Sequence, residues 1–283
     1  MASFTNFATL SYNGGTTNSN IVTGEILEAL TAVKTAVSAN YSAGDRITYA
    51  LSLVNTGTAA ITDYTVTDNL GGYTVGANTV YPLAYNAGTV RYYINDVLQA
   101  APTVTAGPPL TVTGLTVPAG GSAVLIYETT ATPFAPLATG SSITNTATIT
   151  GGGLTNPITA QATVETANSA DLTISKALSP TTVTENGRIT YTFVISNTGN
   201  TEATATGNVV VTDTFAPILR NIAVTYNGTA WTEGTNYTYN AATGVFTTLA
   251  GQITVPAATF TQNTDGTFTV TPGTATLVIT GTV

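Results

Sequence analysis

The sequence predicts an all-β protein of two tandem β-sandwiches, of which the second is incomplete. Strand signals dominate: short alternating runs rich in Val, Ile, Thr and Tyr are separated by Gly, Pro and Asn, which is typical of strands and tight turns. A long internal repeat indicates that one β-domain occurs twice. Only residues 26–37 show a faint helical periodicity, and the tail of that run aligns with a strand in the second copy. An all-β chain with regular turns forms a sandwich or a barrel.

The composition limits the classes of function open to this chain. Its 283 residues suffice for two domains, and 43% hydrophobic residues suffice for packed cores. Only 7% of the residues are charged and the net charge is −8, which favours a secreted or crystalline assembly and argues against a nucleic-acid partner. Because the chain has no His and no Cys, disulfides, thiol nucleophiles and most zinc or haem sites are excluded. We predict no cofactor and no metal site.

The internal repeat places the same residue types at matching positions in both copies. The first copy contains Lys34, Arg46–Tyr49, Asn55–Gly57 and Val66–Asp68, and the second contains Lys176, Arg188–Tyr191, Asn197–Gly199 and Val211–Asp213. The spacing from Lys to Arg and from Arg to Asn is identical in the two copies, and the second has a short insertion before its Asp. We interpret the Asn-Thr-Gly segments as turns and the paired tyrosines as core or rim packing.

The second copy ends at Val283, whereas the first continues into two further strands, near 142–150 and 157–164. A match to these strands lies at the N-terminus, where residues 3–10 (SFTNFATL) repeat the pattern of residues 142–149 (SITNTATI). We therefore predict a donor strand segment at 1–25, a complete domain at 26–166, and a domain at 167–283 that lacks its last strands.

These motifs together resemble a repeat domain of bacterial and archaeal surface proteins, known as the conserved repeat domain or domain of unknown function 11. The hallmarks are a Lys near the first strand, ITYTFVISNTGN at 189–200, VVVTDT at 209–214 and SITNTATITG at 142–151. The resemblance covers both copies and implies an immunoglobulin-like sandwich on cell-surface or extracellular proteins. It does not by itself imply a filament.

The unmatched N-terminal segment suggests head-to-tail polymerisation. Phe4, Asn6, Ala8 and Leu10 share one face of the predicted strand and could fill the open groove of the second domain. Because the linker to the first domain is only a few residues, passing the strand to a neighbour is easier than folding it back. A contact of this kind does not close on itself and produces an open fibre.

The only two lysines, Lys34 and Lys176, occupy equivalent positions in the two copies. Strand parity directs Asp68 and Asn145 inward in the first copy and Lys176, Asp213 and Asn6 inward at the joint, and Lys34 occupies the position equivalent to Lys176. Burial favours a neutral amine beside a protonated acid, and such an amine can attack the Asn side-chain carbonyl while the acid relays protons. We predict an internal isopeptide bond, Lys34 to Asn145 promoted by Asp68, and an intermolecular one, Lys176 to Asn6 promoted by Asp213. The alternative is a buried Lys–Asp ion pair with Asn hydrogen-bonded nearby.

The expected function is that of a structural subunit whose partner is itself, outside the cell on a cell or spore surface. The sequence shows no basic-then-apolar leader, no LPxTG sorting signal and no apolar run long enough to span a bilayer, so it does not specify a route of export. One alternative is a monomeric surface adhesin whose N-terminal strand folds on its own chain. An enzyme is not expected, because the fourteen acidic residues are scattered along the sequence and form no recognisable catalytic pattern. Residue types alone do not exclude a hydrolase that uses a pair of carboxylates.

Overall fold

The computed structural model describes residues 2–26 and 29–283. Within these ranges the regular structure consists of β-strands and one short 3-10 turn, Ala205–Gly207, so the all-β prediction is confirmed. The chain forms two compact units. Unit 1 comprises Met1–Ala135 and Ser142–Glu165, and unit 2 comprises Pro136–Ser141 and Thr166–Val283.

Residues 2–26 form an N-terminal hairpin. Its four strands are β1 (Ala2–Asn6), β2 (Thr9–Tyr12), β3 (Gly15–Asn18) and β4 (Val22–Ile26). Among the described residues, β1 pairs only with β4, and β2 only with β3. The predicted strand Ser3–Ser11 is therefore divided, because at Ala8 the ladder is interrupted: the Ala8 N–H donates to the Ser19 hydroxyl at 2.9 Å instead of to a strand carbonyl.

The remainder of unit 1 is a sandwich of two sheets. Its strands are β5 (Leu30–Ala36), β6 (Asn40–Tyr41), β7 (Arg46–Asn55), β8 (Ile61–Asp68), β9 (Tyr73–Val75), β10 (Asn78–Val80), β11 (Leu83–Tyr85), β12 (Arg91–Ile94), β13 (Val97–Leu98), β14 (Thr103–Thr105), β15 (Leu110–Val117), β16 (Ser122–Ala131), β17 (Ser142–Gly151) and β18 (Ile158–Thr166). One sheet has the order β13-β12-β16-β7-β5, with β11 also on β16, and the other has the order β14-β15-β8-β17-β18-β6. Buried residues alternate with more exposed ones along each central strand, as expected when one face of a sheet covers a core. The faintly helical run at 26–37 supplies β5, so its helical pattern was misleading.

Unit 2 repeats the first of these sheets and lacks part of the second. Its strands are β19 (Leu172–Ser179), β20 (Arg188–Asn197), β21 (Thr212–Thr214), β22 (Arg220–Tyr226), β23 (Thr229–Trp231), β24 (Tyr237–Asn240), β25 (Val245–Thr248), β26 (Thr259–Gln262), β27 (Phe268–Thr271) and β28 (Gly273–Thr282). The order β19-β20-β28-β22-β23 matches β5-β7-β16-β12-β13 strand for strand, and the facing sheet is β21-β25-β24. Phe246 from one sheet and Ile195 and Leu277 from the other belong to one buried core.

The edge of β21 distinguishes unit 2 from unit 1. In unit 1 the equivalent strand, β8, pairs with β15 on one side and with β17 on the other. In the described part of unit 2, β21 pairs with β25 alone. An unpaired strand edge presents free backbone N–H and C=O groups to any strand that can reach it.

The Asn-Thr-Gly segments do more than form turns. The Asn55 amide nitrogen donates to the Ala59 carbonyl at 2.8 Å and to the Pro118 carbonyl at 3.0 Å. Asn197 repeats this arrangement in unit 2, where its amide nitrogen donates to the Thr201 and Pro256 carbonyls. Both side chains are buried, and because buried amides are stable only when hydrogen-bonded, these residues fasten the same corner of each sandwich.

Candidate functional site

The first candidate site lies inside unit 1 and consists of Lys34, Asp68 and Asn145, which we call the buried site. Lys34 is on β5 and Asp68 on β8, in opposite sheets, and both point into the core because they fall on inward positions of their strands. The Lys34 Nζ lies 2.5 Å from the Asp68 Oδ2, and the two side chains are 0% and 1% exposed. Asp68 thus has the inward orientation that strand parity predicts, and Lys34, the equivalent of Lys176 in the repeat, shares it.

Two stacked tyrosines enclose the buried pair. The rings of Tyr49 and Tyr127 are 5.8 Å apart, and the Lys34 Nζ lies 4.8 Å from the centre of the Tyr49 ring. The Tyr127 hydroxyl donates a hydrogen bond to the same Asp68 oxygen that Lys34 contacts. Spacing along the chain does not indicate this role for Tyr127, because only the pairing of β16 with β7 brings it beside Tyr49.

Asn145 is the third member of the buried site, and its amide is unsatisfied. It lies on β17, the strand beside β8, and is 0% exposed. Its amide is close enough to the Tyr49 and Tyr127 hydroxyls to lower their pKa values, although burial raises both strongly. Yet among the described residues neither its Nδ2 nor its Oδ1 has a hydrogen-bond partner. A buried polar group left in this way costs about 1–3 kcal/mol, so the Asn145 amide is a source of strain in the core of unit 1.

Burial also changes the acidity of the lysine. Desolvation lowers the pKa of Lys34 from 10.5 to about 8, although the charge of Asp68 and its hydrogen bond act in the opposite direction. A lysine with a pKa near 8 has a far larger neutral fraction at physiological pH than an exposed lysine. Because only the neutral amine is a nucleophile, the buried site prepares Lys34 for attack on a carbonyl.

The lowered pKa of Lys34 makes the stability of unit 1 depend on pH. In an Asn145→Ala variant, which has no amide to react, Lys34 binds more protons in the unfolded chain than in the folded one between pH 8 and 10.5. The free energy of unfolding should therefore rise with pH above about 8, by at most about 1.4 kcal/mol per pH unit. Urea unfolding between about pH 7 and 8.8 measures this, because few tyrosines of the unfolded chain ionise below that pH. An Asn145→Ala/Lys34→Met chain is the control and should lack the rise, and equal slopes in both chains would contradict the assignment.

The second candidate site, which we call the open site, is the equivalent pair in unit 2. The Lys176 Nζ donates to the Asp213 Oδ2, and it lies 4.5 Å from the centre of the Tyr191 ring. Here, however, the two side chains are 41% and 17% exposed. The difference follows from the topology, because β17 covers the pair in unit 1 and the described part of unit 2 has no strand at that edge.

The open site differs from the buried site in two further respects. The residue opposite Tyr191 is Ile279, where unit 1 has Tyr127 opposite Tyr49, so no tyrosine on that strand holds the acid. Ile174 and Leu178 flank Lys176 on the same face of β19 and are 55% and 37% exposed. Unit 2 thus presents an exposed apolar strip with an amine and a carboxylate at its centre.

The β1–β4 ladder of the N-terminal hairpin resembles the β17–β18 ladder of unit 1. Thr5 pairs with Thr23 and Asn6 with Val22, just as Thr144 pairs with Thr163 and Asn145 with Ala162 in the β17–β18 ladder. All four predicted donor residues, Phe4, Asn6, Ala8 and Leu10, are exposed. The structure therefore brings Lys34, Asp68 and Asn145 into one site and Lys176 and Asp213 into another, and it does not bring Asn6 to either.

Over residues 2–26 and 29–283, no group of three or more acidic side chains lies together in a way that would hold a metal ion. In the same described ranges, no helix has the length and hydrophobicity needed to cross a bilayer.

No protein-family model and no curated protein sequence matches this chain. Among solved structures it is similar to the pilus backbone RrgB from Streptococcus pneumoniae, with 15% identity, 86% of this chain and 55% of that chain covered, and a TM-score of 0.36. It is also similar to the major pilin subunit BcpA of Bacillus cereus, with 14% identity, 96% of this chain and 73% of that chain covered, and a TM-score of 0.35. A third similar structure is the full-length major pilin SpaD from Corynebacterium diphtheriae, with 15% identity, 86% of this chain and 59% of that chain covered, and a TM-score of 0.36. The chain thus spans about 55% of the length of the pneumococcal protein. TM-scores this low carry no functional argument, so the function has to be inferred from the chain's own residues.

Proposed function

We propose that this chain is the structural subunit of an extracellular fibre, in which the N-terminal hairpin of one copy completes unit 2 of the next. The observation that carries the proposal is that unit 2, over its described residues, has an unpaired strand edge and the hairpin has strands of the matching pattern. The described part of unit 2 has an unpaired β21 edge beside an exposed Lys–Asp pair, and the hairpin presents an exposed Asn6 in the register that Asn145 has in unit 1.

Apolar burial supplies the driving force for this donation. Phe4 and Leu10 on the hairpin are 55% and 63% exposed, and Ile174 and Leu178 on the acceptor are exposed as well. Burying these side chains against each other removes apolar surface from water, while the β21 edge gains backbone hydrogen bonds. Because the hairpin and the acceptor are different surfaces of the chain, the contact is heterologous, and such a contact produces an open fibre when its rotation does not close a ring.

The same proposal includes two isopeptide bonds per subunit. In unit 1 a proton passes from the Lys34 ammonium to Asp68, the neutral amine attacks the Asn145 Cγ, and Asp68 gives that proton to the amide oxygen as negative charge develops there. Asp68 then takes a proton from the attacking nitrogen and passes it to the amide nitrogen, and the Cγ–Nδ2 bond breaks while the proton on the oxygen returns to Asp68 and the C=O bond re-forms. One C–N bond forms, one breaks, and ammonia leaves. At the joint Lys176 and Asp213 act in the same way on Asn6 of a second copy.

A mixing experiment tests the proposal. A Lys176→Arg chain keeps Asn6 but has no amine at the open site, and an Asn6→Ala chain keeps Lys176 but has no amide. Refolded alone, neither should give species larger than a monomer on a boiled detergent gel, whereas the wild-type chain should give a ladder. Refolded together, they should give a covalent dimer and nothing larger, because each dimer has used its single competent pair.

The outcomes of the mixing experiment also separate the competing functions. A monomeric adhesin whose hairpin folds on its own chain predicts a single monomer band for the wild type and for the mixture, with no fibres in the electron microscope. That result would overturn the proposal. Fibres that dissolve completely into monomers on boiling would support strand donation and remove the cross-link at the joint.

A further inference from the structure

An open cavity of about 730 Å³ lies at the surface of unit 2, lined in part by Pro217, Ile218, Leu219, Ile222, Tyr239 and Val283. Its walls are continuous with the core, because Ile222, Tyr239 and Val283 pack against the buried cluster of unit 2. Seven of its ten lining residues are apolar and the other three are Arg220, Asn221 and Glu233, a mixture that admits an apolar or aromatic side chain.

In unit 1 the corresponding region is filled. Between β8 and β12 that unit inserts β9, β10 and β11, and Val80 and Leu83 of this insertion are buried. Ile143 of β17 packs against the same region: a Cβ placed on Gly71 would lie 2.6 Å from the Ile143 Cγ2 and 3.0 Å from the Pro82 Cγ. Unit 2 passes from β21 to β22 without such an insertion, and the cavity lies along this short connection.

The ladder of unit 1 indicates where Phe4 would lie in a docked hairpin. In unit 1 Ala147 lies opposite Asp68, and residues earlier on β17 lie opposite later residues of the partner strand. If Ala8 takes the place of Ala147 opposite Asp213, and the docked strand becomes continuous through Ala8 as β17 is, then Phe4 lies level with Pro217, a wall residue of the cavity. Phe4 is the equivalent of Ile143 and is the larger side chain, which matches the larger space.

The hairpin is shaped to hold this ring. Phe4 pairs with Gly24, whereas Ile143 pairs with Val164. A Cβ on Gly24 would lie 2.4 Å from the Phe4 Cζ, so the ring lies over the glycine in space that any side chain would occupy. We propose that the cavity is the socket for Phe4 of a second copy of this chain, and that this contact anchors the hairpin and sets its register. The inference rests on the proposed strand donation.

The test compares full-length chains that all carry Lys176→Arg, which leaves assembly reversible because no bond can form at the joint. Phe4→Ala should raise the critical concentration for fibre formation by at least about 30-fold, as expected for an anchor residue at the centre of an interface. The matched control is Phe7→Ala, which removes a ring of equal exposure on the opposite face of the hairpin. This variant should change the critical concentration by less than about threefold.

A second variant acts from the side of the socket and does not touch the hairpin. Ala241 is an exposed lining residue, and Ala241→Trp should fill the cavity and weaken assembly to a similar extent. If both changes act on one contact, the double variant Phe4→Ala/Ala241→Trp should be no weaker than the weaker single variant. Fibres with wild-type critical concentrations in Phe4→Ala and Ala241→Trp, or fully additive effects, would overturn the socket while leaving strand donation intact. Absence of fibres from every chain, including the parent, would overturn strand donation itself.

Discussion

A chain that lacks residues 1–25 should remain monomeric at concentrations at which the full chain forms fibres. The reason is that the deletion removes the strands proposed to pair with β21 and leaves the described strands of both sandwiches unchanged, since β1–β4 pair only with one another. Light scattering coupled to size exclusion, together with electron microscopy, measures the result.

Adding back the missing segment gives the matched control for this deletion. A synthetic peptide of residues 1–25 should bind the truncated chain, and the mass of the complex should be lower by one ammonia than the sum of its parts. A peptide with Asn6→Ala should bind without that loss. Fibres of normal appearance from the truncated chain alone would show that the hairpin is not the donor.

Asn145→Ala should lower the free energy of unfolding of the truncated chain by about 5 kcal/mol. A bond between Lys34 and Asn145 closes a loop of about 110 residues, and a cross-link over such a loop is worth about 4–5 kcal/mol in chain entropy. Urea unfolding measures the loss, and intact mass spectrometry measures the cross-link: the parent should be lighter by one ammonia than its sequence mass, and the variant should match its own.

The duplicated lysine provides an internal comparison for this second prediction. Lys34→Met should lower the stability of the truncated chain at least as much as Asn145→Ala, because it removes the bond and leaves Asp68 buried without its partner. Lys176→Met should change it by less than about 1 kcal/mol, since an exposed ion pair contributes little. Equal losses for the two lysines, or an unchanged mass for the parent, would remove the internal cross-link.

The features that could be predicted from sequence are those set by local alternation and by the repeat. Asp68 is expected in the core because side chains alternate between the faces of a strand, and Lys34 because it matches Lys176 in the repeat. Their contact follows once two sheets face each other. The strands near 142–150 and 157–164 were expected from their periodicity and are present as β17 and β18.

The features that could not be predicted depend on pairing between distant segments. Tyr127 donates to Asp68 only because β16 lies beside β7. The spacing of residues along the chain does not indicate that these two strands are neighbours. The division of the first strand at Ala8 depends on a single hydroxyl, that of Ser19. The cavity near Pro217 arises from an insertion that unit 2 lacks, and its volume is a property of packing rather than of composition.

The unequal exposure of the two lysines allows chemical labelling to show whether the edge beside Lys176 is covered by a neighbouring subunit. Lys34 is sealed and Lys176 is 41% exposed, and the sequence has no other lysine. An acylating dye offered to a free subunit therefore finds one accessible side-chain amine, and that amine lies at the edge where a neighbour would dock. Dye uptake at Lys176, located by peptide mapping, would thus count vacant ends directly, without any tag fused to the protein.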